Sequence, residues 1–88
     1  MAQPQRITLD PDPPVQGKDV KICYSFPGSG ITWTTLGVTF YPGGGSTEYP
    51  VTESNPCVTV KVPGTATSIL VEDRDGPSPD KNAPVVPA

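Results

Sequence analysis

The chain has 88 residues and a formal net charge of −3, which together allow one domain with a small core. Its 13 prolines and 9 glycines reach the range that is typical of disordered chains. Disorder also requires low hydrophobicity and high net charge, and this chain instead places its apolar residues in short alternating blocks separated by Pro and Gly. The composition therefore indicates a folded domain of the all-β class.

The distribution of charged and apolar residues excludes two classes of partner. A nucleic-acid-binding surface needs a concentrated stripe of Lys and Arg, and the basic residues here are scattered along the chain. No apolar run approaches the roughly 20 residues of a membrane helix. Residues 1–20 also lack the apolar stretch of a secretory leader, so the sequence as it stands indicates either a cytosolic protein or a mature domain.

The first part of the chain contains two blocks in which apolar and polar residues alternate. Residues 6–10 (RITLD) predict a first strand, and residues 18–26 (KDVKICYSF) predict the clearest strand of the chain. The stretch between them contains three prolines, which cannot donate hydrogen bonds to a sheet, so we predict a kinked connection there. Residues 27–30 (PGSG) predict a turn.

The block at residues 31–41 (ITWTTLGVTFY) breaks this alternation. Its apolar positions are odd-numbered up to Trp33 and even-numbered from Leu36 onwards. A strict period of two cannot bury both sets, so we predict a bulge or a bend at residues 34–35.

The remaining segments predict a hairpin loop and four further strands. Residues 42–46 (PGGGS) form the loop because glycines adopt the positive φ that tight turns require. The strand at 47–52 contains Pro50 and is therefore placed at a sheet edge. Three more strands are predicted at residues 57–62, 68–73 and 83–87. The nearly continuous apolar run at 68–73 suits a central strand.

These segments predict a single all-β domain over residues 1–88, a two-sheet sandwich of six or seven short antiparallel strands. Its ordered core should cover about residues 6–75. A proline-rich segment follows at 76–88, with a candidate edge strand at 83–87. An unpaired edge of such a sandwich would allow a dimer.

The series ITLDPDPPVQGKDVKICYSF, followed by CVTVKVPGTATSILVEDRDG, resembles the small immunoglobulin-like or fibronectin type III-like modules of extracellular, often bacterial, proteins. Two features depart from antibody-type domains. Trp33 and Cys57 are too close in sequence for the Cys–Trp–Cys framework, and Asn55 stands where the tyrosine corner would have a tyrosine. The resemblance implies a sandwich fold with adhesive or structural roles, and it transfers no functional residues.

The two cysteines lie on the polar side of their predicted strands. If the strand order follows the sandwich pattern, the strands at 18–26 and 57–62 are antiparallel neighbours and Cys23 faces Cys57 on the solvent side. We therefore predict a cross-strand disulfide, which would stabilise the domain by roughly 4 kcal/mol and indicates an oxidising compartment. Two buried free thiols and an inward-facing bridge are the alternatives.

The sequence contains no catalytic motif. It has no histidine, which is the commonest general base and metal ligand, and PGGGST lacks the lysine of a phosphate-binding loop. We therefore predict a protein that is not an enzyme and has no cofactor. An oxygen-rich calcium site at Asp73, Asp75 and Asp80 is a weaker alternative to an ordinary turn.

The aromatic residues allow a binding site. Trp33, Tyr41 and Tyr49 are the candidate ligand-binding residues, although a lone tryptophan in a small domain usually covers the edge of the core. The main hypothesis is a non-catalytic, secreted or otherwise extracytoplasmic module for interaction or structure, which displays loops 27–35, 42–46 and 74–82 to a protein or glycan partner. The alternatives are a carbohydrate-binding module that uses Trp33 and Tyr41, and a small protein inhibitor that uses the loop at 41–50.

Overall fold

The computed structural model describes residues 6–26, 28, 30–43, 45–76 and 78–88. The predicted turn at 27–30 and the predicted loop at 42–46 lie partly outside the described residues. The described part of the chain forms seven strands and no helix, with the following bounds: β1 Ile7–Asp10, β2 Asp19–Tyr24, β3 Trp33–Tyr41, β4 Ser46–Thr52, β5 Cys57–Lys61, β6 Ser68–Asp73 and β7 Lys81–Pro84.

The strands form two antiparallel sheets, a three-stranded sheet in the order β1-β2-β5 and a four-stranded sheet in the order β4-β3-β6-β7. The all-β two-sheet prediction is therefore confirmed. β4 and β7 lie at edges and β6 lies inside its sheet, as predicted. The last strand begins at Lys81 and ends at Pro84, so it lies earlier in the chain than the predicted 83–87.

The core lies between the two sheets and follows from the period of two in each strand. The three-stranded sheet contributes alternate residues such as Val20, Ile22 and Tyr24, and the four-stranded sheet contributes residues such as Leu36 and Val71. Val85, beyond the last strand, is also buried. The proline-rich C-terminal segment thus packs against the same core as the strands before it.

The two cysteines form the predicted disulfide. Cys23 faces Cys57 directly in the register of β2 and β5, and a disulfide joins them. Hydrogen bonds join Val62 N–H to the Lys18 carbonyl and Tyr24 N–H to the Pro56 carbonyl on either side of this pair. Because the two kinds of facing pair alternate in an antiparallel ladder, the cysteines occupy a non-hydrogen-bonded pair, in which facing side chains are closest. They are half-buried on the side of the sheet away from the core.

The predicted bulge or bend at residues 34–35 is wrong. β3 pairs with β4 in one uninterrupted register from Trp33 to Thr39. The alternation of apolar residues breaks because Thr34 occupies the inward position and is fully buried, whereas Trp33 points outward. The switch of apolar residues from odd to even positions therefore results from a polar residue at a core position, and not from a bulge in the backbone.

The connection between β1 and β2 is hydrogen-bonded to the C-terminal segment that follows β7. Pro14 accepts a hydrogen bond from Val86 N–H, and Gln16 N–H donates to the Val86 carbonyl, both at 2.9 Å. Lys81 Nζ lies 3.1 Å from a carboxylate oxygen of Asp12 in the same connection. These contacts fix the proline-rich connection against the C-terminal segment.

Candidate functional site

The loops of the sandwich gather at two opposite ends. Because the strands are antiparallel, the β2–β3, β4–β5 and β6–β7 connections meet at one end, and the β3–β4 loop lies at the other. Of the three loops predicted for display, the first and the last therefore share an end, whereas the loop around 42–45 is remote from them. The β4–β5 turn at 53–56, which no sequence pattern indicated as a binding loop, lies at the same end as the β2–β3 and β6–β7 connections.

Trp33 is the most exposed large apolar side chain in the described part of the chain. Trp33 is the first residue of β3 and is 58% exposed. The prediction that this tryptophan covers the edge of the core is therefore wrong. The cause lies one residue later, because Thr34 points inward and thus directs its neighbour outward.

Trp33 forms one wall of an open cleft of about 410 Å³, here named the Trp33 cleft. The cleft lies between the β2–β3 and β6–β7 connections, and its lining residues are Gly30, Ile31, Thr32, Trp33 and Asp75. Asp75 is exposed and is the acidic residue among those that line the cleft with Trp33. The cleft therefore combines an apolar surface with a negative charge.

Backbone hydrogen bonds from the β4–β5 and β6–β7 connections hold the cleft in position. Glu53 N–H, in the β4–β5 turn, donates to the Thr32 carbonyl at 3.1 Å. Arg74 N–H donates to the Thr35 carbonyl at 2.9 Å and thereby fixes the residue that precedes Asp75. Such bonds between loops and strand ends limit the conformational freedom of the cleft walls.

A group of buried polar side chains lies beneath this end, here named the Asp73 cluster, with the members Tyr24, Thr34, Asp73 and Ser78. The Tyr24 hydroxyl donates to one carboxylate oxygen of Asp73 at 2.6 Å, and the Thr34 hydroxyl donates to the other. Since the hydrogen of Tyr24 is used in this way, the Ser78 hydroxyl donates to the Tyr24 oxygen at 2.9 Å. The cluster joins the two sheets because Tyr24 lies in β2 and Asp73 in β6.

The hydrogen bonds of the cluster favour an ionised Asp73. Burial alone would raise the pKa of this carboxyl, but the hydrogen bonds from Thr34, Tyr24 and Ser78 outweigh burial and leave the pKa below its ordinary value of 3.8. Burial raises the pKa of Tyr24 above 10.0, and the hydrogen bond to Asp73 raises it further. Every buried side-chain nitrogen and oxygen atom of the described residues has a partner, so the cluster is a satisfied structural contact.

The sequence contains a signal for this cluster in the alternation of residues 68–73. In residues 68–73 the inward positions are 69, 71 and 73, so the alternation that buries Ile69 and Val71 also buries Asp73. A carboxylate at an inward position requires hydroxyl or amide donors nearby. Thr34 is the matching donor on β3, and only the pairing of β3 with β6 brings the two strands together.

The three predicted ligand-binding aromatic residues do not form one site. Tyr41 is 45% exposed on the same face of β3 as Trp33, but the strand separates them by about 26 Å at 3.3 Å per residue. Tyr49 is half-buried and packs against the core. Tyr41 instead adjoins the β3–β4 loop, where Gly43 and Gly45 have positive φ values of 68° and 66°.

The three acidic residues considered for calcium differ in their surroundings. Asp73 is buried and its carboxylate accepts hydrogen bonds from protein groups, whereas Asp75 and Asp80 are exposed. The described residues contain no group of three or more His, Cys, Asp or Glu side chains arranged to hold a metal ion. No helix in that part of the chain has the length and hydropathy to cross a membrane.

Comparison with protein families, with curated proteins and with solved structures found no match to this chain.

Proposed function

We propose that this chain is a non-catalytic interaction module that works outside the cytoplasm and binds a protein partner with the end of the sandwich that contains Trp33. The observation on which the proposal depends is the exposure of Trp33 on the wall of the Trp33 cleft. Burial of a tryptophan side chain away from water is strongly favourable, and an exposed tryptophan lacks this stabilisation. Binding of a partner over the side chain supplies it, and aromatic residues accordingly lie at the centres of protein interfaces.

The chemistry of the cleft favours a protein partner with a basic side chain. An aromatic face attracts a Lys or Arg head group, and the Asp75 carboxylate beside it adds an opposite charge. The side chain of Arg74, the neighbouring cation, is engaged elsewhere, since it donates to Ser46 at 3.0 Å and to Glu72 at 3.2 Å. The carboxylate of Asp75 is therefore available to a partner.

The construction of the domain supports an extracytoplasmic, immunoglobulin-like module. Disulfides persist in oxidising compartments, and Cys23–Cys57 is half-exposed on the outer side of its sheet. The strand order differs from that of constant-type immunoglobulin domains only in the fourth strand, which pairs with β3 here and with the fifth strand there. Domains of this kind present binding loops at the ends of a rigid sandwich.

Carbohydrate binding is a second candidate, because an exposed indole beside a carboxylate also suits a sugar ring with its hydroxyl groups. The distance between Trp33 and Tyr41 limits such a site to Trp33 alone. A neutral glycan would depend little on the charge of Asp75, whereas a basic protein partner would depend on it strongly.

The test uses immobilised wild-type protein and three variants, Trp33→Ala, Asp75→Asn and Tyr41→Ala. Each is exposed to extracellular fluid from the producing organism and to a glycan array. We expect a captured protein that is retained by the wild type and by Tyr41→Ala, the matched exposed aromatic at the far end. Trp33→Ala should lose at least roughly ten-fold in affinity, and Asp75→Asn should bind less and with weaker salt dependence.

Two results would contradict the proposal. Capture that is equal for wild type and Trp33→Ala would remove the Trp33 end as the binding surface. Retention of a neutral glycan alone, with Asp75→Asn behaving as wild type, would replace the protein partner with a carbohydrate.

A further inference from the structure

The four edge strands differ in how many unpaired backbone groups they present. In an antiparallel sheet, each residue directs its backbone N–H and C=O to the same side of its strand, and successive residues alternate between the two sides. At a sheet edge, the residues that bond to the neighbouring strand therefore identify the residues between them as those whose N–H and C=O face outward. β1, β5, β4 and β7 are the edges of the two sheets.

A proline interrupts the row of outward-facing N–H donors at each edge of the four-stranded sheet. Glu53 N–H donates to the Thr32 carbonyl, so the odd-numbered residues of β4 bond to β3. Pro50 is even-numbered and therefore faces outward from the sheet edge. The bond from Val85 N–H to the Thr67 carbonyl likewise places Pro84 outward on β7. Neither proline has an N–H to offer, which is a common protection of an edge against pairing.

β5 lacks this protection. The bonds of Val62 N–H to Lys18 and of Tyr24 N–H to Pro56 show that residues 58 and 60 face β2. Cys57, Thr59 and Lys61 therefore direct complete N–H and C=O pairs away from the sheet, and no described residue bonds to them from that side. β1 presents only two such residues, Ile7 and Leu9, before Pro11 ends the series.

We propose that β5 is a dimerisation edge, at which two copies of this chain pair antiparallel around a two-fold axis through Thr59. The strand has five residues and its central residue is of the outward-facing kind. A two-fold axis through Thr59 therefore pairs the outward-facing N–H and C=O groups of one copy with those of the other. In this register Thr59 faces Thr59 of the second copy, and Cys57 faces Lys61 of the second copy. About six backbone hydrogen bonds result, and the two three-stranded sheets become one continuous sheet.

Side chains favour a second copy as the occupant. The register places no like charges opposite each other, since the only charged residue of β5 is Lys61 and it faces Cys57 of the other copy. On the inner face, Val58 lies opposite Val60 of the second copy. Val58 is half-buried although it packs against the core, so the second copy would cover apolar surface that β5 leaves open.

The experiment measures the mass of the intact, oxidised chain by sedimentation equilibrium up to millimolar concentration. The wild type should change from the 9.2 kDa monomer to twice that mass as concentration rises. Thr59→Pro removes two intermolecular N–H donors and no bond of the isolated fold, so its dimer should be roughly ten-fold weaker or more.

Charge substitutions test the register independently of the proline. Thr59→Lys and Thr59→Asp should each be monomeric, because each places like charges directly opposite, whereas an equimolar mixture of the two should form a heterodimer. Thr8→Lys is the matched control: Thr8 is an exposed threonine on the same face of the same sheet, and its variant should dimerise as the wild type does.

A wild type that stays monomeric at every concentration overturns the proposal. So does a wild-type dimer that Thr59→Pro leaves intact, or a mixture of the two charge variants that remains monomeric. Equal disruption by Thr8→Lys would also overturn it, because the effect would then follow net charge and not the β5 edge. Far-ultraviolet circular dichroism and urea unfolding verify that every variant is folded.

Discussion

Individual residues of the Asp73 cluster determine how the two sheets meet. Asp73 is buried at 8% exposure, and its carboxylate is surrounded by donors from β2, β3 and the β6–β7 connection. Gly76 closes the remaining side, because a Cβ atom at this position would overlap the Asp73 carboxylate. A short, hydrogen-bonded side chain cannot move aside as the end of a flexible one can, so the absence of a side chain at Gly76 is a packing requirement.

We predict that Gly76→Ala lowers the free energy of unfolding by about 2 kcal/mol, because the new methyl group displaces Asp73 from its donors. Gly64→Ala is the matched control, since a Cβ atom there would meet open space, and its effect should stay within about 0.5 kcal/mol. Urea unfolding at neutral pH measures both. Equal stability of the two variants would show that the carboxylate relaxes freely.

Among the strands, β5 depends most on a covalent bond. It pairs only with β2, and the disulfide joins these two strands at their facing cysteines. The bond closes a loop with a sequence separation of 34 residues, so the chain-entropy argument assigns it a contribution of roughly 4 kcal/mol. β3 and β6, in contrast, each have a neighbour on both sides.

Reduction of the disulfide should therefore lower stability by about 3–4 kcal/mol and should loosen β5 before the other strands. Hydrogen exchange with and without reductant measures the second effect. The amides of Val58 and Val60, which bond to β2, should lose more protection than those of Val38 and Val71 in the other sheet. A uniform loss of protection would indicate that the domain opens only as a whole.

At the scale of the whole molecule, the Asp73 cluster makes stability depend on pH at both extremes. The folded-state pKa of Asp73 is lowered, so its contribution is present above the ordinary value of 3.8 and is lost as pH falls through the folded value. The folded-state pKa of Tyr24 is raised, so its contribution is present below 10.0 and is lost as pH rises through the folded value. Both groups belong to one contact between the sheets, and each loss weakens the same contact.

We predict that the free energy of unfolding falls below about pH 4 and again above about pH 10, with a plateau between. Urea unfolding across this range measures the profile. Asp73→Asn should be less stable at neutral pH and should show a shallower acidic decline, and Tyr24→Phe should show a shallower alkaline one. Acidic slopes that match in wild type and Asp73→Asn would assign the decline to other carboxylates.

The sequence by itself determined the all-β class, the approximate position of every strand and the outward placement of the two cysteines. These features follow from the period of two and from the turn preferences of Pro and Gly, which act over a few neighbouring residues. The alternation in β2 and β5 was sufficient to place Cys23 and Cys57 on the outer side, and the structure confirms the disulfide.

Only the tertiary structure decided the inward position of Thr34, the exposure of Trp33 and the separation of Trp33 from Tyr41. A polar residue is stable inside a sandwich only when distant strands supply its partners, and Asp73 is remote from Thr34 in sequence. Apolar periodicity contains no information about such partners, so it favoured a bulge where the strand is continuous. The Trp33 cleft likewise results from loops that are separate in the chain and meet only when the two sheets pack.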